Sequence, residues 1–362
     1  MGTHRYTTEH NNNSTVNSQH RRTARRHASA LLCAVMAIGL FLTPTFTYGA
    51  ANSMPAADET LRTTPVAAGA SSTISGTEFK LQGISIGMNE SELLGILGEP
   101  ARKDLSEYNF EWYIYNQNYQ RYIQVGVQHG KVVALYTNGQ DWTGAGGIGF
   151  GSTRQEVEAA YGSPLASLKK GNTIYKFKDN GGEYSLHQVG GVYATLFYDL
   201  SRKNTVTSIQ LIDQKIELSF KGFHGKPSER LRESFEREVL DLTNAVRVRE
   251  GKKPLEWDDE IADTAREHSA DMMKRTFFSH DNPDGQSPFD RMKQDGITYR
   301  KAGENIAAGQ TSAIFAHENW MNSSGHRKNI LSDFERLGVG IFFGGPYQVY
   351  YTQNFFTPPG AK

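Results

Sequence analysis

The sequence predicts an α+β protein in two folded parts: a duplicated helix-plus-antiparallel-sheet domain, then an α-β-α sandwich at the C-terminal end. Three observations carry this. At 362 residues the chain exceeds one ordinary domain. A pattern of residues recurs between Ile86 and Pro164 at an offset of 64 positions, Gly87 to Gly151. From Ser228 onward, apolar residues follow helical spacing until two strand patterns close the chain. A hydrophobic fraction of 38% with 11% aromatic residues is enough for folded cores rather than a disordered polymer.

In chain order, a leader comes first. Arg21, Arg22, Arg25 and Arg26 precede an apolar run from Ala28 to Leu42. Fifteen residues span only about 22 Å as a helix, short of a ~30 Å hydrocarbon core. Basic flank, short apolar run and the small residues Gly49-Ala50-Ala51 read as a secretory signal peptide with a long polar n-region, residues 1–51; the alternative is a retained N-terminal anchor. Residues 52–79 read as a flexible linker rich in Ala, Ser and Thr. The expected location is outside the cell or at its surface, with no membrane span after cleavage. The lone cysteine, Cys33, lies in the leader, so the exported chain has no disulfide to rely on. Net charge is zero, but residues 1–50 hold five Arg against one Glu, leaving the remainder about four units negative. That balance offers no basic field for nucleic acid.

Residues 80–215 hold the repeat. Asn89 and Thr153 are helix N-cap residues, each with a Glu three positions on, at Glu92 and Glu156. Leu93 and Leu97, like Val157 and Tyr161, share a helical face, and Gly98 and Gly162 end each helix two residues before a proline. Strand patterns follow at 112–115, 122–127 and 132–136, and again at 174–177, 184–186, 193–197 and 206–212. The many tyrosines are expected to pack rather than to form a binding face. No cluster of His, Cys or paired carboxylates stands out.

After a linker at 216–229, residues 230–358 carry the chemistry-bearing side chains. Leu231, Phe235, Val239, Leu242 and Val246 give a long amphipathic helix. A second helix runs from Glu260 to Lys274 and places His268 on its apolar face, as a core histidine. Ser287-Pro288 opens a third, Gly303–Ile306 leaves a turn, and a fourth bears Ile314, Phe315, Glu318 and Trp320. A turn at 323–326 leads to strands at 338–343 and 349–355. His280, Glu304 and His326 form the sharpest constellation. Two imidazoles and a carboxylate can hold Zn2+ or another divalent cation with open positions, form an acid/base cluster, or tie three loops to the core. His317-Glu318 has no second His at 321, so a His-Glu-x-x-His metalloprotease motif is absent.

Two resemblances now come into view. The paired Gly…Gly-x-Pro units with Trp112-Tyr-Ile-Tyr115 resemble the CAP-associated N-terminal domain of secreted bacterial proteins, which implies a binding or scaffolding accessory. Asn244–Arg247, Phe278-Ser-His280, Gly303–Ile306, Trp320–Leu331, Gly338-Val-Gly340 and Thr352–Phe355, in that order, resemble the CAP superfamily in its bacterial, disulfide-free SCP-type branch. That resemblance implies an α-β-α sandwich whose cleft is lined by a His/Glu/Glu/His tetrad. His280, Glu304 and His326 match three of its members, and Ser323 stands where the second glutamate is expected. The expected function is therefore a non-catalytic cleft that binds a small molecule, lipid or cell-surface ligand, with a protein or wall partner for residues 80–215. The alternative is a secreted protease or esterase using Ser323, or a metal-bound water, with His326 and Glu304.

Overall fold

The structure is a computed structural model, and it describes Thr7–Glu9 and residues 79–177 and 181–360. The expected signal peptide and linker lie outside the described residues, apart from strand β1 (Thr7–Glu9), which pairs antiparallel with Lys301–Gly303, and Phe79 at the linker's end, which is buried in the core. Among the described residues no helix is long and apolar enough to cross a membrane.

The first part is built on one seven-stranded antiparallel sheet. Its strands are β2 (Arg102–Leu105), β3 (Glu111–Tyr115), β4 (Ile123–Gln128), β5 (Lys131–Thr137), β8 (Tyr184–Val189), β9 (Val192–Asp199) and β10 (Thr205–Asp213), in the order β2-β3-β4-β5-β10-β9-β8. A separate hairpin joins β6 (Ser167–Lys170) to β7 (Thr173–Lys176). Helix α1 (Glu90–Leu97) starts where Asn89 N donates to Glu92 Oε2 (2.9 Å), and α2 (Arg154–Tyr161) where Thr153 N donates to Glu156 Oε2 (2.7 Å). Gly98 and Gly162 end them in the left-handed region, at φ 75° and 81°, where a side chain would be strained. Gly87 N bonds Val132 O and Gly151 N bonds Val206 O, both at 2.8 Å, so each helix is seated on a strand start in the same way.

The helices cover one face of that sheet through Leu93 and Val157. Its other face, with Phe110, Trp112, Tyr122, Tyr136 and Phe197, packs on α4 (Glu229–Arg249). With both faces covered, the strands are apolar on both sides, and Tyr113, Tyr115, Tyr122, Tyr136, Tyr193 and Tyr198 are all buried. The stretch expected as a linker differs from expectation. Helix α3 (Gln214–Ser219) occupies its start, and the apolar core runs unbroken from the sheet into Leu231, Phe235, Val239 and Leu242 of α4. Polar contacts complete the junction: Arg102 Nη2 meets Asp241 Oδ2 at 2.6 Å, and Tyr136 and Ser208 both donate to Glu318 Oε1, at 2.8 and 2.6 Å.

The second part is a sandwich. β12 (Lys301–Ala308), β14 (Val349–Thr357) and β13 (Arg336–Phe343) form an antiparallel core, and β11 (Glu256–Trp257) adds a short parallel edge beside β13. Alternation sends Gly338, Gly340, Thr352, Asn354 and Glu304 to one face and Val339, Ile341, Gln353 and Asn305 to the other. Helix α5 (Asp259–Lys274) lies on the first face, very close to the sheet. A Cβ on Gly340 would fall 1.9 Å from Arg266 N, and one on Gly338 2.3 Å from Ala262 N, so both positions require glycine. Helices α4 and α7 (Ala313–Asn322) cover the second face, and α6 (Pro288–Gln294) packs beside α5. Two local expectations change here. Residues 303–306 lie inside strand β12 rather than a turn, and 324–326 open helix α8 (Ser324–Ile330).

Candidate functional site

Glu304 is placed by its strand. On β12 it points toward α5, while Asn305 points the opposite way. His280 arrives from the loop after α5 and donates from Nδ1 to Glu304 Oε1 at 2.8 Å. Arg291, on α6, donates from Nη2 to Glu304 Oε2 at 2.8 Å, and its Nη1 bonds the carbonyls of His280 (2.9 Å) and Gln286 (3.1 Å). One guanidinium thus fixes both the carboxylate and the loop that carries His280. The Glu304 side chain is wholly buried, whereas His280 keeps 15% of its surface in contact with solvent.

Burial alone would raise the Glu304 carboxyl, but its neighbours outweigh that and hold it below the usual range. His268 Nε2 lies 4.0 Å away, yet burial pushes the His268 imidazole down, so it stays neutral at pH 7. The His268 ring, Arg291 and the hydrogen bond from His280, in that order, hold the carboxyl down.

His326 comes from the first turn of α8. That helix is pinned to the edge of β12 by amides: Asn329 Nδ2 donates to Glu304 O (3.1 Å) and Asn305 Oδ1 (2.9 Å), and Asn305 Nδ2 donates to His326 O (3.2 Å) and Gln353 Oε1 (3.1 Å). Gln353 Nε2 carries the chain across the sheet to Thr243 Oγ1 of α4, at 3.1 Å. Trp320 is fully buried and donates from Nε1 to Ile306 O, fastening α7 to the same strand. The His326 ring is pushed down to about 4, first by burial and then by the nearness of His280, so it is neutral at physiological pH. Its Nδ1 is buried and has no hydrogen-bond partner among the described residues.

The structure thus joins His280 to Glu304 and sets His326 nearby, but not as the expected metal triad. Among the described residues, no three His, Cys, Asp or Glu side chains converge on a position that could hold an ion. Both Glu304 oxygens are engaged, one by His280 and one by Arg291, and a guanidinium touching the carboxylate repels a second cation there. The residues present do not fit a divalent metal. Ser323 precedes α8 as its N-cap residue, with no side-chain capping bond, and among the described residues no hydrogen bond joins its hydroxyl to His326. A nucleophile–base pair is therefore not assembled. Glu318 is bonded by Tyr136 and Ser208, so it belongs to the junction with the first sheet, and His317 is fully buried.

Arg291 is the residue that sequence reasoning missed. It stands beside Met292 on the inner side of a short helix, and an arginine next to a core methionine was the available signal. Asn305, Asn329 and Gln353 were present in the motif strings, but their chain of amide bonds exists only in the fold.

Known proteins share this architecture. A model of the CAP-associated N-terminal family matches residues 86–223, and one of the cysteine-rich secretory protein family matches residues 240–355. An uncharacterized membrane protein of Bacillus subtilis, YlbC, is 34% identical over 289 residues, which cover 75% of this chain and 82% of that one. A second uncharacterized protein of that bacterium, YkwD, is 46% identical over 123 residues, covering 34% of this chain and 47% of that one. Among solved structures, an extracellular SCP-domain protein of Bacillus anthracis superposes with a TM-score of 0.67 at 29% identity, over 82% of this chain and all of that one (100%). A cysteine-rich secretory protein from Staphylococcus aureus shares the fold, with a TM-score of 0.62 at 18% identity, over 79% of this chain and 96% of that one.

Proposed function

The chain belongs to the cysteine-rich secretory protein (CAP) family, with a CAP-associated N-terminal domain before the CAP domain, and from that premise we propose an exported, non-catalytic binding protein. One observation carries the reading. The buried carboxylate that a hydrolase would use as base, or as a metal ligand, is closed off by Arg291 and His280 at 2.8 Å each. What faces outward is a pair of imidazoles. His280 is fixed through Nδ1 and keeps part of its ring exposed, and His326 is a neutral, half-buried ring, which together make a surface for hydrogen bonding to a small molecule, lipid headgroup or wall component rather than for bond cleavage. Export is supported by the signal-like leader in the sequence and by the extracellular description of the B. anthracis neighbour. The name of YlbC supports retention at the membrane instead, through an uncleaved leader.

The first domain acts as a scaffold in this reading. It packs on α4 and α7, the side of the sandwich away from α5, so it stiffens the support of α8 rather than covering His280. Arg327 of α8 reaches across to Asp199 Oδ2 at 2.7 Å. A protein or wall partner would meet this domain on surfaces outside that junction.

The test pairs turnover with binding, using the whole exported chain. Casein and ester substrates are incubated with wild type, Ser323→Ala and His326→Ala, and binding to purified cell walls and to phosphatidylglycerol vesicles is compared with the His280→Ala plus His326→Ala variant. The expected result is no turnover that either single substitution removes, and saturable binding to one target that the double substitution weakens. Reproducible hydrolysis abolished by Ser323→Ala would overturn the proposal in favour of a hydrolase.

A further inference from the structure

The hairpin β6–β7 stands outside both large sheets, and its two faces differ. Register pairs Leu168 with Tyr175 and Lys169 with Ile174. Alternation therefore sends Leu168, Lys170 and Tyr175 to one face and Ser167, Lys169, Ile174 and Lys176 to the other. The first face is the inward one. Leu168 is buried there, and Lys170, also buried, meets Glu217 of α3 at 2.5 Å, with its ammonium 5.1 Å from the ring centroids of Tyr175 and Phe220. Tyr108 donates to the other oxygen of Glu217, also at 2.5 Å. A buried ion pair thus fixes the hairpin to the first part and sets which way it faces.

All four side chains of the opposite face are exposed. Ile174 is 61% exposed, more than any other large apolar side chain among the described residues. One exposed isoleucine is ordinary by itself. Its setting is not. Lys169 stands directly across the hairpin from it, and Lys176 lies two positions along the same strand, on the same side. Between Glu158 and Asp179 the chain holds four lysines and no acid. The loop beside Tyr175 adds Lys221 and Phe223, both exposed, with the Phe223 ring centroid 5.1 Å from that of Tyr175. The chain beyond residue 50 is about four units negative, so this basic and apolar corner runs against the charge of the rest.

We propose that the outward face of this hairpin docks on an anionic lipid bilayer, with headgroup phosphates against Lys169 and Lys176 and the Ile174 side chain among the uppermost acyl carbons. Lysines alone would match any polyanion. An isoleucine set between them fits a surface that is charged outside and apolar just beneath. The docking face is separate from His280 and His326, and it holds whatever those imidazoles bind.

The experiment uses the full exported chain with vesicles of phosphatidylglycerol and phosphatidylcholine in equal parts. Pure phosphatidylcholine vesicles are the neutral control, and polyphosphate is the soluble polyanion. Co-sedimentation is expected with the mixed vesicles only, and it is expected to fall as salt rises. Each lysine at such a surface contributes about fivefold in partitioning, so Lys169→Gln with Lys176→Gln is expected to weaken it about 25-fold. Ile174→Asn is expected to weaken it about tenfold. These positions are exposed, so both variants are expected to keep the wild-type melting temperature. With Ile174→Trp, phosphatidylglycerol brominated on its acyl chains is expected to quench tryptophan emission beyond the quenching seen in wild type. The same losses are expected in a His280→Ala plus His326→Ala background, which separates this face from the imidazoles. No sedimentation with the mixed vesicles, equal sedimentation with neutral ones, binding that survives the lysine substitutions, or capture by polyphosphate without acyl-chain quenching would overturn the proposal.

Discussion

Replacing Arg291 by methionine isolates what holds the site together. The substitution removes the guanidinium from a carboxylate with no exposed surface and deletes the bonds to His280 O and Gln286 O. Taking one partner from a buried ion pair costs about 3–5 kcal/mol, because the other charge stays behind unpaired. His280 alone remains, at 2.8 Å on one oxygen, so the loss is expected at the lower end of that range, about 3 kcal/mol. Without Arg291 the Glu304 carboxyl rises, and a group whose folded value is raised contributes its stability at low pH and loses it as pH increases. Arg291→Met is therefore expected to be weakest at alkaline pH and to recover on acidification. Urea unfolding at several pH values reads both effects. Adding Glu304→Leu removes the stranded charge, so the double variant is expected to be more stable than Arg291→Met alone. A loss below about 1 kcal/mol, the worth of an exposed pair, or a double variant no better than the single, would refute the reasoning.

Three further outcomes follow from the same structure. Gly340→Ala places a Cβ 1.9 Å from the backbone of α5, so helix and sheet must separate; a loss of about 3 kcal/mol in urea unfolding is expected, with the same direction for Gly338→Ala. His317 is fully buried, neither ring nitrogen has a hydrogen-bond partner among the described residues, and burial pushes it down to about 3 from an ordinary 6.5. The unfolded chain therefore takes up a proton that the folded one refuses between those values, and stability falls as pH drops below 6.5. His317→Leu is expected to flatten that acid limb by about 3 kcal/mol at pH near 4.5, measured by melting across pH. Glu107 shows the reverse sign: burial raises it to about 7 from 4.5, so its contribution is complete below 4.5 and lost as pH rises through 7. Glu107→Gln is expected to remove an alkaline decline of about 3 kcal/mol in the same measurement.

Much of this was legible from local pattern. The N-caps at Asn89 and Thr153, the C-terminal glycines of both short helices and the heptad-like stripe from Leu231 to Val246 fix their elements without tertiary help, and each element lies where the pattern puts it. The motif Gly338-Val-Gly340 has a reason that only the packing reveals, the near-contact of α5 with the strand. Tertiary contacts decide the rest. Gly303–Ile306 reads as a turn because of its glycine and polar residues, yet pairing with Phe355–Thr352 makes it a strand. Ser324-Gly325 reads as a turn by composition, but the amides of Asn329 and Asn305 draw it into helix α8. Glu304 and His280 were identified from the chain alone. Arg291 was not, because nothing in a sequence says which cation a buried carboxylate will meet.

Arg291 engages the Glu304 oxygen that a metal ion would need, and a crystal structure of the exported chain grown with added zinc, with anomalous data at the zinc edge, tests the consequence directly. The expected map keeps Arg291 Nη2 within hydrogen-bond distance of Glu304 Oε2 and shows no anomalous peak between His280 and His326. An anomalous peak bonded to both imidazoles, with Arg291 turned away from Glu304, would contradict it.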